Sequence, residues 1–137
     1  MKRSTRILFA VIIGTLVLGY FMGTPDHGPN SSLRKAAAKT DVSEFIEGLR
    51  RFQVDCGRYP ITEEGLASLM KRPAAIPASS WHGPYTDMPR IPEDPWDRPY
   101  AYKCPGLHNT NGYDVYSLGP KGKGGNEAIG NWTPVEQ

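Results

Sequence analysis

The chain has 137 residues, 39% of them hydrophobic and 22% charged, which suffices for one globular domain plus a targeting segment and leaves little room for a second domain. Its formal charge of +2 comes from the N-terminus: taking Lys2, Arg3 and Arg6 away from the 16 basic residues leaves 13 against 14 acidic ones. A near-neutral remainder with no clustered basic face excludes phosphate-backbone binding, so no nucleic-acid partner is expected.

In chain order, KRSTR precedes residues 7–22, which carry no charge and only Thr15 among polar types. A basic start before an apolar run marks a membrane-targeting segment, either an uncleaved anchor or a cleaved signal. The end of the run favours the anchor. Cleavage wants small residues at the last and third-last positions, and candidates near Gly23 place Phe21 or Tyr20 there. Residues 5–24 would make about 30 Å of helix, a bilayer core's thickness. The basic flank predicts a cytoplasmic N-terminus, with everything after the span outside. The expected organisation is therefore a single membrane-spanning helix or signal segment at 1–23, a Pro/Gly linker at 24–31 and a periplasmic or extracellular domain at 32–137. His27 sits alone in the linker and is expected to be solvated.

The stretch DVSEFIEGLRRFQVDCGRYP at 41–60 holds the strongest periodicity. Val42, Phe45, Ile46, Leu49 and Phe52 recur at spacings of three and four, forming one apolar stripe on a helix. Glu47 and Arg51 are an i to i+4 pair on the other side, and Gly57 and Pro60 stop the helix. Its start is expected near Ser32, with the seam convincing from Ala38. A capping box of Asp41 and Glu44 would instead begin a shorter helix. A second short helix follows, capped by Thr62, with Ile61 and Leu66 as a hydrophobic staple, Glu63 and Glu64 at its positive end and a buried face of Leu66, Leu69 and Met70.

Residues 73–105 are rich in proline and interleaved with Trp81, Tyr85, Trp96, Tyr100 and Tyr102, which predicts an ordered but irregular segment. Strands are expected at 100–104 and 113–118, joined as an antiparallel hairpin through HNTNG. The glycine-rich stretch after them should return to pack Ile129 and Trp132. The fold class from these elements is α+β. Cys56 and Cys104 are the only cysteines, and in an oxidising compartment a disulfide between them is expected, with two free buried thiols as the alternative. His82 and His108 are isolated, and the serines at 68, 79, 80 and 117 lack a nucleophile-elbow context. Asp94 and Asp97 flank Trp96 as a turn and not as a glycosidase pair, with Asp97 suited to a left-handed conformation and Arg58 expected to bridge to a carboxylate of this loop. No enzyme activity and no small-molecule substrate are expected.

Several motifs in register resemble the major pseudopilin family of type II secretion. They are Cys56-Gly57-Arg58-Tyr59-Pro60 with Thr62-Glu63-Glu64-Gly65-Leu66, Trp81-His82-Gly83-Pro84-Tyr85, Asp94-Pro95-Trp96-Asp97-Arg98-Pro99-Tyr100, Tyr113-Asp114-Val115-Tyr116-Ser117-Leu118-Gly119, and Ile129-Gly130-Asn131-Trp132. The resemblance covers 39–132. It implies a pilin-like fold, an N-terminal amphipathic helix packed on a small antiparallel sheet, in a periplasmic fibre that helps export folded proteins. It also implies partners among other secretion-system or pseudopilus proteins, with the inner membrane held through the N-terminal helix.

Two departures accompany the match. The family's basic leader, cleaved glycine, methylated phenylalanine and early glutamate have no counterpart here: residues 7–22 contain no glutamate, and Pro25, Gly28 and Pro29 separate the apolar run from the domain's helix. The expectation is a pseudopilin-like domain on a simple anchor that does not polymerise as the fibre subunit does. The family's last loop further implies a calcium ion held by two aspartates and carbonyls. Lys121 and Ala128 take the aspartate positions, leaving Asn126 and Glu127 as residual oxygen donors, so no metal or cofactor is expected. The ammonium of Lys121 or Lys123 would sit among the loop carbonyls instead, or stay in solvent on a flexible loop. A second function class is a membrane-anchored extracytoplasmic binding module that presents Trp81, Tyr85, Tyr100 and Tyr102 as a recognition surface.

Overall fold

The computed structural model describes residues 30–123 and 125–132. The expected membrane segment at 1–23 and nearly all of the linker, His27 included, lie outside them. Among the described residues no helix is long and apolar enough to cross a membrane.

Helix α1 runs unbroken over Asn30–Cys56, about 40 Å at 1.5 Å per residue. Asp41 is therefore inside the helix and caps nothing, and the longer of the two expected helices is the one that forms. Thr40 and Ser43 turn their hydroxyls back to the carbonyls of Ala36 and Lys39, at 3.1 and 2.9 Å, which lets both sit in a helix interior without competing for its N–H groups. The buried face is Ala38, Val42, Phe45, Gly48, Leu49 and Phe52, the predicted stripe extended one turn back. Ile46 lies at its margin, partly buried against the core. On the solvent side Glu47 accepts two hydrogen bonds from Arg50, at 2.8 and 3.1 Å, and meets Arg51 only at 3.8 Å. Gly57 closes the helix as expected, with φ of 75° and its N–H on the Gln53 carbonyl at 2.8 Å, a conformation glycine adopts without steric cost.

The second helix differs from expectation. Residues 62–65 form a turn, and only Leu66–Leu69 is helical, as a short 3₁₀ segment. Thr62 is not its cap: the Thr62 hydroxyl donates to the Cys104 carbonyl at 3.1 Å and accepts the Cys104 N–H at 3.0 Å. The residue at the cap position is Gly65, without a side-chain cap bond, and the Glu64 carboxylate accepts the Ile61 N–H of the preceding turn at 3.0 Å.

Three strands, β1 (Ala101–Lys103), β2 (Asp114–Ser117) and β3 (Ile129–Gly130), form an antiparallel meander in chain order. Tyr102 is opposite Val115, and Ser117 opposite Ile129. The expected hairpin is present, but its connection is the whole of 104–113 and not a two-residue Asn-Gly turn. The turn inside it closes from the Gly112 N–H to the Asn109 carbonyl at 2.9 Å. Residues 73–100 are irregular and ordered, as expected, with one bridge between Glu93 and Pro99.

The sheet and the irregular segment cover the apolar face of α1. Phe45 packs edge-on to Tyr100, and Phe52 to Tyr85, with ring centroids 5.0 and 5.6 Å apart. Each tyrosine then donates its hydroxyl to an aspartate of the same helix: Tyr100 to Asp41 at 2.6 Å and Tyr85 to Asp55 at 2.9 Å. Burial, reinforced by the neighbouring carboxylate, pushes both phenols well above their ordinary value, so the proton stays on the tyrosine and the bond survives over the working pH range. Tyr100→Phe should cost about 2 kcal/mol, since the acceptor is charged. A double-mutant cycle with Asp41→Asn, read by urea unfolding, should then show strongly non-additive losses.

Candidate functional site

The family-like motifs fold into a set of side-chain clamps around the sheet. In the 94–100 turn, the Asp94 side chain is wholly buried. Its Oδ1 accepts the N–H groups of Trp96 and Arg98, each at 3.0 Å, and its Oδ2 accepts the Ser117 hydroxyl at 2.6 Å. The backbone closes the same turn, Asp94 N–H to the Arg98 carbonyl at 2.7 Å and Asp97 N–H to the Asp94 carbonyl at 2.9 Å. Asp97 takes φ of 59°, the left-handed conformation its type was expected to tolerate. Pro95 and Trp96 are partly buried, Pro99 pairs with Glu93, and Tyr100 leaves the turn towards α1.

A second carboxylate organises 104–113. Asp114, also buried, accepts at Oδ2 the N–H groups of Leu107 (2.7 Å) and His108 (2.8 Å) and contacts the His108 ring at Nδ1 (3.1 Å). Its Oδ1 accepts the Asn109 backbone and side-chain N–H groups, both at 3.0 Å. Burial alone would raise this carboxyl, but the N–H groups of His108 and Asn109, the His108 ring and the Leu107 N–H outweigh it and hold it at about 2. The His108 ring stacks on Trp132 at 3.9 Å, and Trp132 meets Tyr116 edge-on. Beside it Asn131 acts as an extra strand position: its N–H donates to the Val115 carbonyl at 3.1 Å, its side-chain oxygen accepts the Val115 N–H at 2.9 Å, and its amide nitrogen donates to the Tyr113 carbonyl at 2.9 Å. Gly130 has no space for a side chain because the Trp132 ring covers it.

The 57–66 connector is the third clamp. Arg58 does not reach the 94–97 loop, contrary to expectation; it forms a two-pronged pair with Glu64, both bonds 2.7 Å. Glu64 sits six residues away across the turn that Gly57 and Pro60 create, so it is the nearer carboxylate once the turn forms, and the guanidinium bond to it holds its carboxyl below the ordinary range. Tyr59 packs edge-on to Tyr113 at 4.7 Å, Pro60 is fully buried, and its carbonyl accepts the Tyr102 hydroxyl at 2.8 Å. Burial raises Tyr113 to about 12.

The disulfide does not form. Cys56 and Cys104 are free thiols aimed at different surroundings: Cys56 Sγ at the Ser80 carbonyl and Cys104 Sγ at the Gly112 carbonyl of its own loop, each at 3.5 Å. Burial pushes the Cys56 thiol up. Nor do the four aromatics form an exposed surface. Tyr85 and Tyr100 are 3% and 8% exposed. Half-buried Trp81 donates its indole N–H to the Ser68 carbonyl at 3.3 Å, and Tyr102 is committed to Pro60.

In the closing loop, Lys121 does not enter the carbonyls. Its ammonium pairs with Glu127 at 2.7 Å while remaining 56% exposed, and Lys35 from α1 takes the other Glu127 oxygen at 3.2 Å. These two ammoniums hold the Glu127 carboxyl below its ordinary range. Lys123 and Asn126 are exposed. The cation that reaches a loop carbonyl is Arg98, which donates from Nη2 to Gly119. A calcium ion would need six to eight oxygens including carboxylates, and the residues present do not fit one: the nearby carboxylate is already bound by two lysines, and no metal-capable group of acidic, histidine or cysteine side chains occurs among the described residues.

A long helix laid on a three-stranded antiparallel meander, with the closing loop returning through Asn131 and Trp132, defines a pilin-like domain. Residues 28–132 match the family model for type II secretion system (T2SS) protein G. A type II secretion system core protein G from Pseudomonas aeruginosa is 36% identical over 88% of this chain and 83% of its own length, and one from Vibrio cholerae is 32% identical over 96% and 92%. Among solved structures, the major pseudopilin from the type 2 secretion system of enterohaemorrhagic Escherichia coli superposes with a TM-score of 0.63 at 28% identity, covering 80% of this chain and 96% of that one. The chain belongs to the type II secretion system protein G family. The likeness is wider than the 39–132 span of the motifs, and the match covering 96% of the chain reaches into residues 1–29.

Two measurements test the clamps. Asp114 has a folded value of about 2 against 3.8 for the free group, so the stability it contributes is complete above pH 4 and is lost as the pH falls towards 2. Urea unfolding should show about 2–3 kcal/mol disappearing over that window, and Asp114→Asn should lose about 3 kcal/mol at pH 6 with a flatter acid limb. Asp97→Gly should raise stability by about 0.5–1 kcal/mol in thermal melts by relieving the left-handed backbone.

Proposed function

We propose that this chain is a non-enzymatic structural component of a type II secretion-like apparatus. On this reading it is anchored in the inner membrane by residues 1–23, with its domain in the periplasm and its partners among other secretion-system or pseudopilus proteins. Family membership together with the match of the whole domain to a major pseudopilin is the observation that carries it. Many polar groups of the described motifs hold the fold. Asp94 is saturated by its own turn and Ser117, and the histidines His82 and His108 face Asp55 and Asp114 at 3.4 and 3.1 Å.

Within that role we propose that the chain serves as a tethered domain and not as the repeating fibre subunit. Support comes from the sequence ahead of α1: the apolar run lacks a glutamate, and it is followed by Pro25, Gly28 and Pro29, residue types that disfavour a continuous helix. Expressed in a secreting host, the chain should fractionate with the inner membrane, keep an unmethylated N-terminus and stay out of sheared pseudopilus filaments. Recovery from pelleted filaments with a processed, methylated N-terminus would sink the tethered reading while leaving the secretion role intact.

A further inference from the structure

We propose that the guanidinium of Arg98 is the built-in cation of the closing loop, so that residues 119–130 fold without calcium. Four observations converge on that side chain. Its Nη2 donates to the Gly119 carbonyl, an oxygen that also accepts the Gly122 N–H at 3.2 Å, so the guanidinium enters the first turn of the loop. Its Nη1 lies where a side chain on Gly122 would stand, and Gly122 is buried with φ of 65°. The turn is thus shaped around the arginine, since only glycine leaves both the backbone angle and the space.

Arg98 is also held from behind. Its backbone N–H is fixed on Asp94 Oδ1, its guanidinium lies 3.7 Å from Asp94 Oδ2, and its Cζ is 6.0 Å from the centre of the Trp96 ring. Asp94 reaches the same loop residue by a second route, because the Ser117 hydroxyl that donates to Asp94 Oδ2 also accepts the Gly119 N–H at 3.0 Å. One buried carboxylate therefore holds Gly119 through its N–H by way of a hydroxyl and through its carbonyl by way of a guanidinium. The buried Nε of Arg98 is left without a partner, so the hydrogen bonding of the guanidinium is concentrated at its Nη end, which faces the loop.

Charge points the same way. Asp94 and Glu127 face Arg98, Lys121 and Lys35, three cations for two carboxylates. A divalent ion arriving here would have to displace lysines from Glu127 and share the loop with a fixed positive charge.

The test uses the full chain purified in a mild detergent. Melting in EGTA and in about 10 mM calcium, saturating even for a weak extracellular site, should give the same Tm, and calorimetric titration should show no calcium binding. Arg98→Met should make trypsin cut at Lys121 and Lys123 on the order of tenfold faster, because removing a charged partner opens the loop, and calcium should not restore protection. If Arg98→Met does not fold, Lys121→Asp with Ala128→Asp decides: calcium binding should appear only when Arg98→Asn is added to that pair. A wild-type Tm raised by about 10 °C in calcium, unchanged cleavage of Arg98→Met, or calcium binding by the Asp pair with Arg98 in place would each overturn the proposal. None of these outcomes depends on whether the chain joins a fibre.

Discussion

The Asp94 carboxylate is the constraint on which the sheet side of this domain depends. The three strands have three, four and two residues, too short for ladder hydrogen bonds to satisfy more than a fraction of the backbone between Leu69 and Trp132. A backbone N–H or carbonyl buried without a partner costs about 1–3 kcal/mol, so side chains must supply what the strands do not. An ionised carboxylate suits this use, since two oxygens accept several N–H groups from a tight turn and each such bond is stronger than a neutral one. Asp94 does this for 94–98 and joins the turn to β2 through Ser117, and Asp114 does the same for 104–113.

This arrangement makes the irregular part of the chain as well determined as the helix. The Trp132, His108 and Asp114 contacts connect the far end of the described chain to the loop before β2, so the closing segment and the hairpin connection are held to each other. Helix α1 is joined to the same body by its apolar stripe and by the two tyrosine-to-aspartate bonds. Asp41 and Asp55 lie fourteen residues apart along α1, about 21 Å at 1.5 Å per residue. The covering layer is therefore fixed at two distant points and cannot slide along the helix.

How legible this was depends on the range of the interactions. The helix stripe, its glycine stop, the two longer strands and the left-handed Asp97 follow from spacing and from backbone chemistry within a few residues, and they appear where those rules put them. The motif resemblance identified the fold and the family. What the sequence concealed are side-chain partners distant along the chain or decided by turn geometry. Thr62 satisfies the rule for a helix cap and instead clamps Cys104, because Gly65 breaks the helix before a cap is useful. Cys56 and Cys104 satisfy the composition rule for a disulfide, but the fold aims them at separate carbonyls. The roles of Asp114 and Arg98 left only weak signals: an acidic residue opening an apolar strand, and a basic one following a left-handed turn.

The same distinction of range applies to the closing loop. Its attachments at Asn131, Trp132 and Gly119 belong to the sheet and to Asp94, which hold whatever occupies the loop. Residues 120–128 between those attachments need only a positive charge facing the inward carbonyl and a balance for Glu127. An arginine from a neighbouring turn meets the first need and two lysines meet the second. Because Arg98 is covalently part of the chain, its charge is present at fixed local concentration whatever the ion content outside. Stability gained from a bound ion, by contrast, rises and falls with the free ion concentration. The last loop thereby stays closed under ion conditions in which an ion-dependent loop would open.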